Sequence, residues 1–109
     1  MIPSFAGFGL GLRKQHYPDF LEHRIGVDFV EVISENFMID GGRPKRILRE
    51  VRERYPVALH GVSMSVGSAD GVDRAYLARL RALVDDIPPL FLSDHLCWTR
   101  FGGFSSHDL

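Results

Sequence analysis

Residues 57–65 read Val57-Ala58-Leu59-His60-Gly61-Val62-Ser63-Met64-Ser65, a short apolar run that ends abruptly in a histidine, a glycine and serines. A basic amphipathic helix pattern precedes this stretch, and a second helix pattern follows it. An apolar strand between two helices is typical of a parallel α/β sheet. In such sheets ligands and metals lie beyond the carboxyl ends of the strands, and His60 falls at that position.

The rest of the chain repeats this strand and helix rhythm at roughly 30-residue intervals. Further strands are predicted at residues 5–12, 27–33 and 90–96. Helices are predicted at residues 18–24, 44–54 and 73–86. The order is β-α-β-α-β-α-β, which right-handed crossovers between parallel strands would connect. The tail, residues 99–109, is predicted to be a polar loop.

This order fits either a small open parallel sheet or part of a (β/α)8 barrel. Polar residues at all four strand ends favour the barrel, because its active site collects side chains from several strands. We therefore predict an α/β fold of the TIM-barrel family, with residues 1–109 as the N-terminal portion of a single domain. A full barrel takes about 250 residues, so we expect a truncated half-barrel of about four β/α units.

Composition excludes several classes of function. The formal net charge is -1, with 13 basic and 14 acidic side chains. This balance does not indicate a nucleic-acid-binding protein. No signal peptide and no membrane-spanning apolar run is visible, so we expect neither secretion nor a membrane partner. Cys97 is the single cysteine. It can form no internal disulfide, and we expect a reducing, cytoplasmic location.

Another histidine, His95, lies at the end of the apolar run that begins at residue 90, within the strand predicted at residues 90–96. Alternation along the strands places Ala58 on the face of His60 and Ser93 on the face of His95, so that each ring has room beneath it. A histidine at a strand end is also commonly a hydrogen-bonded structural residue. Two at equivalent ends predict one shared site for a divalent metal such as iron, zinc or manganese.

Carboxylates near the end of the second strand are candidates to complete this site. Strict alternation puts Glu31 and Glu35 on one face and Asn36 on the other. Glu31 could instead form an ion pair with Arg13, because a buried carboxylate without a partner is costly. Glu35 and Asn36 could instead cap the following loop.

The roles of three other polar residues are predicted less specifically. Asp94 points away from His95 and is expected to contact a helix or to support a ligand. Ser63 is expected to bind loop backbone, and the absence of a G-x-S-x-G motif disfavours a serine nucleophile. His107 in the tail is either a further metal or polar site or an ordinary loop residue.

Five motifs occur in order along the chain. They are Gly-Leu-Gly-Leu-Arg at residues 9–13, Glu-Val-Ile-Ser-Glu-Asn-Phe at residues 31–37, His-Gly-Val-Ser-Met-Ser at residues 60–65, Ser-Asp-His-Leu-Cys-Trp at residues 93–98 and His-Asp-Leu at residues 107–109. Together they closely resemble the N-terminal part of the multinuclear non-heme iron-dependent oxidative enzymes. That family includes the methanobactin-biosynthesis oxidase, and the resemblance covers essentially the whole chain.

The resemblance implies a TIM barrel with two or three irons at its C-terminal face. It implies that His60 and His95 are iron ligands and that later strands supply the others. Glu35 and Asn36 would line the same pocket. Further candidates to line this pocket are Glu31, Arg13, Ser63 and His107. The implied chemistry is dioxygen activation and oxidative modification of cysteine in a ribosomally synthesised peptide, which a partner protein presents.

Two other functions stay open at this point. The first is a metal-dependent isomerase or endonuclease of similar barrel type, which metal identity and oxygen consumption would distinguish. The second is an inactive, truncated half-barrel that persists as a folding or assembly unit and oligomerises through its open barrel edges. Size in solution and metal content would test that alternative.

Overall fold

The computed structural model describes residues 5–39 and 41–106, and a four-stranded parallel sheet lies at its centre. The strands are β1 (Gly9–Gly11), β2 (Phe29–Ile33), β3 (Val57–Gly61) and β4 (Leu92–Asp94). They lie side by side in chain order. The predicted α/β class and parallel sheet are confirmed. Closure into a barrel stays a prediction, because β1 and β4 are the edges of this sheet.

Three helices connect the strands. They are α1 (Tyr17–Glu22), α2 (Arg43–Arg54) and α3 (Arg74–Asp86). Local sequence explains where two of them start. Pro44 stands in the first turn of α2, where its missing N–H is harmless. Asp73 caps α3 by accepting a 2.9 Å hydrogen bond from the N–H of Ala75.

The outer strands are shorter than predicted. Only Gly9–Gly11 of residues 5–12 and only Leu92–Asp94 of residues 90–96 form strand structure. Both are edge strands with a single neighbour, and each is paired over three residues. The apolar pattern does not show how many residues pair with a neighbouring strand. It therefore overestimates the length of an edge strand.

The tail contains a β-hairpin instead of the predicted loop. Strands β5 (Arg100–Phe101) and β6 (Phe104–Ser105) pair antiparallel. Gly102 and Gly103 connect them with φ angles of 55° and 83°. Such angles suit glycine and the tight turns of two-residue hairpins. Strands of two residues are too short to give an alternation signal, so the sequence pattern predicts a loop there.

The core lies between the helices and one face of the sheet. Val30, Val32, Val57 and Leu59 point to this side and are fully buried. On the opposite face, the side chains of Glu31, Ile33 and His60 are only half-buried. The sheet therefore has one face covered by helices and one open face. None of the helices in the described ranges has the length and apolar content needed to cross a membrane.

Leu59→Ala tests the assignment of the covered face. The prediction concerns the whole protein, meaning a polypeptide that contains this chain and the further strands of the predicted barrel. Losing a fully buried leucine should lower the free energy of unfolding by about 2–5 kcal/mol. Leu77→Ala on the outer surface of α3, where the leucine is 42% exposed, should have a much smaller effect. Urea unfolding of both variants measures this, and equal losses would contradict the assignment.

Candidate metal centre

The two histidines meet at the carboxyl end of the sheet. His60 lies on β3 in register with Ile33 of β2 and Ser93 of β4. His95 follows β4 directly. The centroids of the two imidazole rings are 4.8 Å apart, with an angle of 62° between the ring planes. The structure thus brings together the pair that the two strand ends predict.

Hydrogen bonding leaves ring nitrogens available in this pair. His60 Nδ1 lies 2.8 Å from Ser93 Oγ, and its Nε2 makes no hydrogen bond with any described residue. His95 Nδ1 is buried and has no hydrogen-bond partner among residues 5–39 and 41–106. A buried polar atom without a partner is unfavourable, and a metal bond would relieve that cost. The chemistry of the pair therefore fits metal ligation.

Alternation along a strand does not reveal the role of Ser93. It predicts only that Ser93 leaves room beneath His95, on its own strand. In the structure it instead bonds to His60 on the neighbouring strand, because the register pairs these two residues. A hydrogen bond to one ring nitrogen fixes the orientation of a histidine whose other nitrogen binds a metal.

The described residues supply only part of a metal site. Within residues 5–39 and 41–106, no group of three histidine, cysteine, aspartate or glutamate side chains converges on a point that could hold an ion. Structural and catalytic metal sites use at least three protein ligands as a rule. The His60–His95 pair would therefore need ligands from outside these residues.

The carboxylate of Glu35 accepts hydrogen bonds from the loop after β3 and from α3. Strand β2 ends at Ile33, and Glu35 lies in a 3-10 turn, so strand alternation no longer governs its direction. Its carboxylate accepts hydrogen bonds from the N–H groups of Val62 and Ser63 at 3.0 and 2.9 Å. It also accepts bonds from the hydroxyls of Ser63 at 2.9 Å and Tyr76 at 2.6 Å. The structure therefore places Glu35 as an anchor for the loop that follows His60.

These contacts shift two pKa values in opposite directions. Burial alone would raise the pKa of Glu35, but the hydrogen bonds from Tyr76, Val62 and Ser63 outweigh it, and the pKa is lowered. Burial and the adjacent Glu35 carboxylate raise the pKa of Tyr76 far above its usual value. Helical spacing assigns Tyr76 to the apolar side of α3, but it says nothing about the partner of the Tyr76 hydroxyl.

Glu35→Gln should make the protein less stable in a pH-dependent way. Because the folded-state pKa of Glu35 is lowered, its contribution is present above the unfolded pKa and disappears as pH falls through the folded pKa. At neutral pH we expect Glu35→Gln to lower the free energy of unfolding by about 1–3 kcal/mol, which is typical for hydrogen bonds to a charged group. Below about pH 4 the difference in stability between the variant and the unchanged protein should become smaller. Thermal unfolding of the whole protein between pH 3 and 7 measures this. The exposed Glu53→Gln is the control, and a pH-independent difference would contradict the assignment.

Asp94 lies on the other side of the sheet from the open face. It is in register with Gly61, and a Cβ on that glycine would lie 2.1 Å from Oδ2 of Asp94 and 3.2 Å from the hydroxyl of Tyr76. The Asp94 carboxylate therefore occupies the space above Gly61, close to α3. Burial raises the pKa of Asp94, and the charge of Glu35 adds to this while the N–H of His95 opposes it. The carboxylate oxygens are buried.

Arg13 and Asn36 line a cavity of about 770 Å³ between α1, α2 and the turns after β1 and β2, which does not include the histidines. The Arg13 guanidinium folds back over Gly11, where an added Cβ would lie 3.4 Å from Cζ. Glu31 is in register with Gly11 but forms no ion pair with Arg13. His107 lies outside the described residues.

Comparison with known proteins identifies the family. Residues 7–109 match the family described as RiPP precursor modification enzyme MbnB/TglH/ChrH, where RiPP denotes a ribosomally synthesised and post-translationally modified peptide. A protein of Rhizorhabdus wittichii named "UPF0276 protein" is 73% identical over 104 residues, which is 94% of this chain and 37% of the relative.

More distant relatives carry the same printed name. One from Caulobacter vibrioides is 67% identical over 109 residues, or 99% of this chain and 39% of the relative. One from Acaryochloris marina is 44% identical over 108 residues, with the same shares. The chain thus spans less than two-fifths of the length of these relatives. The resemblance carried by the five motifs is confirmed, and the chain belongs to the MbnB/TglH/ChrH family of RiPP precursor modification enzymes.

Proposed function

We propose that the whole protein is an iron-dependent oxidase that uses dioxygen to modify cysteine residues of a ribosomally synthesised peptide. One observation carries the proposal: two histidine rings with available nitrogens lie 4.8 Å apart at the strand ends of a peptide-modifying family member. Residues 1–109 would be the N-terminal portion of a TIM-barrel domain. Later strands would add the remaining ligands for two or three irons, and a partner protein would present the peptide.

Each residue near the pair has a distinct part in this proposal. His60 and His95 would hold iron through ring nitrogens. Ser93 would keep the His60 ring in one orientation through the 2.8 Å contact at Nδ1. Glu35 would fix the backbone that follows His60 through the N–H groups of Val62 and Ser63. When bound, iron would supply the one-electron redox chemistry and dioxygen reactivity that these side chains lack.

The direct test combines metal analysis with oxygen uptake. We expect the whole protein to contain iron and to consume dioxygen when a cysteine-containing precursor peptide is added. The same peptide with serine in place of cysteine is the matched control. Zinc or manganese in place of iron, or turnover without oxygen consumption, would favour the isomerase or endonuclease alternative, which has no support from the family match.

Ser93→Ala should weaken iron binding without removing a ligand. Losing the hydrogen bond to His60 Nδ1 frees the ring to rotate, and such supporting contacts are worth about 10–100-fold in metal affinity. Competition with a chelator measures the affinity of the whole protein. Ser93→Thr keeps a hydroxyl and should retain more of the affinity. Unchanged affinity in Ser93→Ala would show that the contact does not orient a ligand.

A further inference from the structure

The cavity of about 770 Å³ is lined by both charged and apolar residues. Three cationic residues line it, Arg13, Lys14 and Arg43, with Glu22 as the single acidic residue in the lining. The remaining surface is largely aliphatic and aromatic, from Tyr17 and Leu21 of α1 to Phe37 and Pro44 near the start of α2. A cavity of this size is in the range of ligand sites in proteins.

None of the three cationic side chains at the cavity forms a hydrogen bond or an ion pair with a described residue. Arg46 of α2 and Arg74 of α3 share this feature, but neither lines the cavity. Several other basic side chains of α2 are engaged. Lys45 and Arg49 both contact Asp86, and Arg52 donates to the carbonyl of Pro88. The three cations at the cavity are therefore available to an anion.

One residue of the cavity lining, Ile33, is the register partner of His60 on the adjacent strand. Neighbouring strands are about 4.8 Å apart. A ligand that fills the cavity and extends past Ile33 therefore continues to His60 within the length of one or two residues of an extended peptide.

We propose that this cavity is a subsite for an acidic side chain of the peptide substrate, with an apolar side chain packed beside it. The proposal rests on the proposed function for the peptide nature of the ligand. Its chemistry comes from the cavity, because arginine guanidinium groups bind carboxylates through paired, charge-assisted hydrogen bonds. The residue bound there would hold the neighbouring part of the peptide in front of the histidine pair.

Two capped peptides without cysteine test the subsite independently of oxidation. They are acetyl-Gly-Ser-Glu-Phe-Ser-Gly-amide and the same peptide with Gln in place of Glu. Calorimetric titration of the whole protein should give a dissociation constant at least about tenfold lower for the Glu peptide. Arg43→Gln should remove most of this preference. Arg74→Gln, the same charge change at an exposed position of α3, should leave it intact.

Three results would overturn the subsite: equal affinity for the two peptides, no binding of either, or an equal loss of preference in Arg74→Gln. The comparison on the unchanged protein does not depend on any variant folding. The proposed function fails separately, through iron content and oxygen uptake. A preference for the Glu peptide in a protein that holds no iron would support the subsite and reject the oxidase. Iron-dependent turnover without a preference for the Glu peptide would support the oxidase and reject the subsite.

Discussion

His60→Ala and His95→Ala are each expected to remove most of the iron from the whole protein and to abolish oxygen-dependent turnover. The two rings lie 4.8 Å apart, and each offers a nitrogen that makes no hydrogen bond with a described residue. Contacts that merely support a ligand are worth about 10–100-fold in metal affinity, so the loss of a ligand itself should exceed that range. Iron content and oxygen uptake of the purified variants measure the effect.

The matched control is His23→Ala, which removes an exposed imidazole at the end of α1. It should keep the iron content of the unchanged protein. The double variant lacking both His60 and His95 should lose little more than either single variant, because residues that act as one unit are not additive. Iron loading of His60→Ala and His95→Ala equal to that of His23→Ala would remove both residues from the set of ligands.

The isolated 109-residue chain is expected to associate instead of forming a stable monomer of 12.3 kDa. The described residues leave Glu31 and His60 on one face of the sheet only half-buried, and the rings of Phe29 and Phe91 meet on that face with centroids 5.8 Å apart. Strand β1 is an exposed edge, and Leu10 on it is 54% exposed. Unpaired edges and apolar faces favour dimers or larger assemblies.

Sedimentation of the isolated chain tests this expectation. Most of the material should sediment as dimers or larger species, and it should hold iron weakly because two histidines are too few ligands. Leu10→Lys places a charge on the edge of β1 and should raise the monomer fraction. Leu77→Lys on α3 introduces the same charge away from the sheet and should change it little. A monodisperse monomer with stoichiometric iron would contradict the half-barrel account.

Local patterns in the sequence predicted the elements that depend on local chemistry. Helical spacing and proline placement located α2 and α3 to within about one residue. The apolar run that ends at His60 located β3, and alternation within it separated Leu59 in the core from His60 on the open face. The meeting of His60 and His95 followed from two strands that end at the same edge.

What the sequence did not predict depends on register and on departures from regular structure. The contact from Ser93 to His60 requires the register between β3 and β4, which no single strand specifies. The direction of Glu35 depends on a 3-10 turn that interrupts the alternation of β2. The cavity at Arg13 and Arg43 needs two helices packed side by side, and their separation is set by tertiary structure alone.

Anomalous diffraction at the iron edge from crystals of the whole protein would show whether the histidine pair holds iron. We expect an iron peak within bonding distance of a ring nitrogen of both His60 and His95, with Ser93 still in contact with His60 Nδ1. Iron peaks that lie away from both rings, or the absence of any iron peak in catalytically active protein, would contradict it.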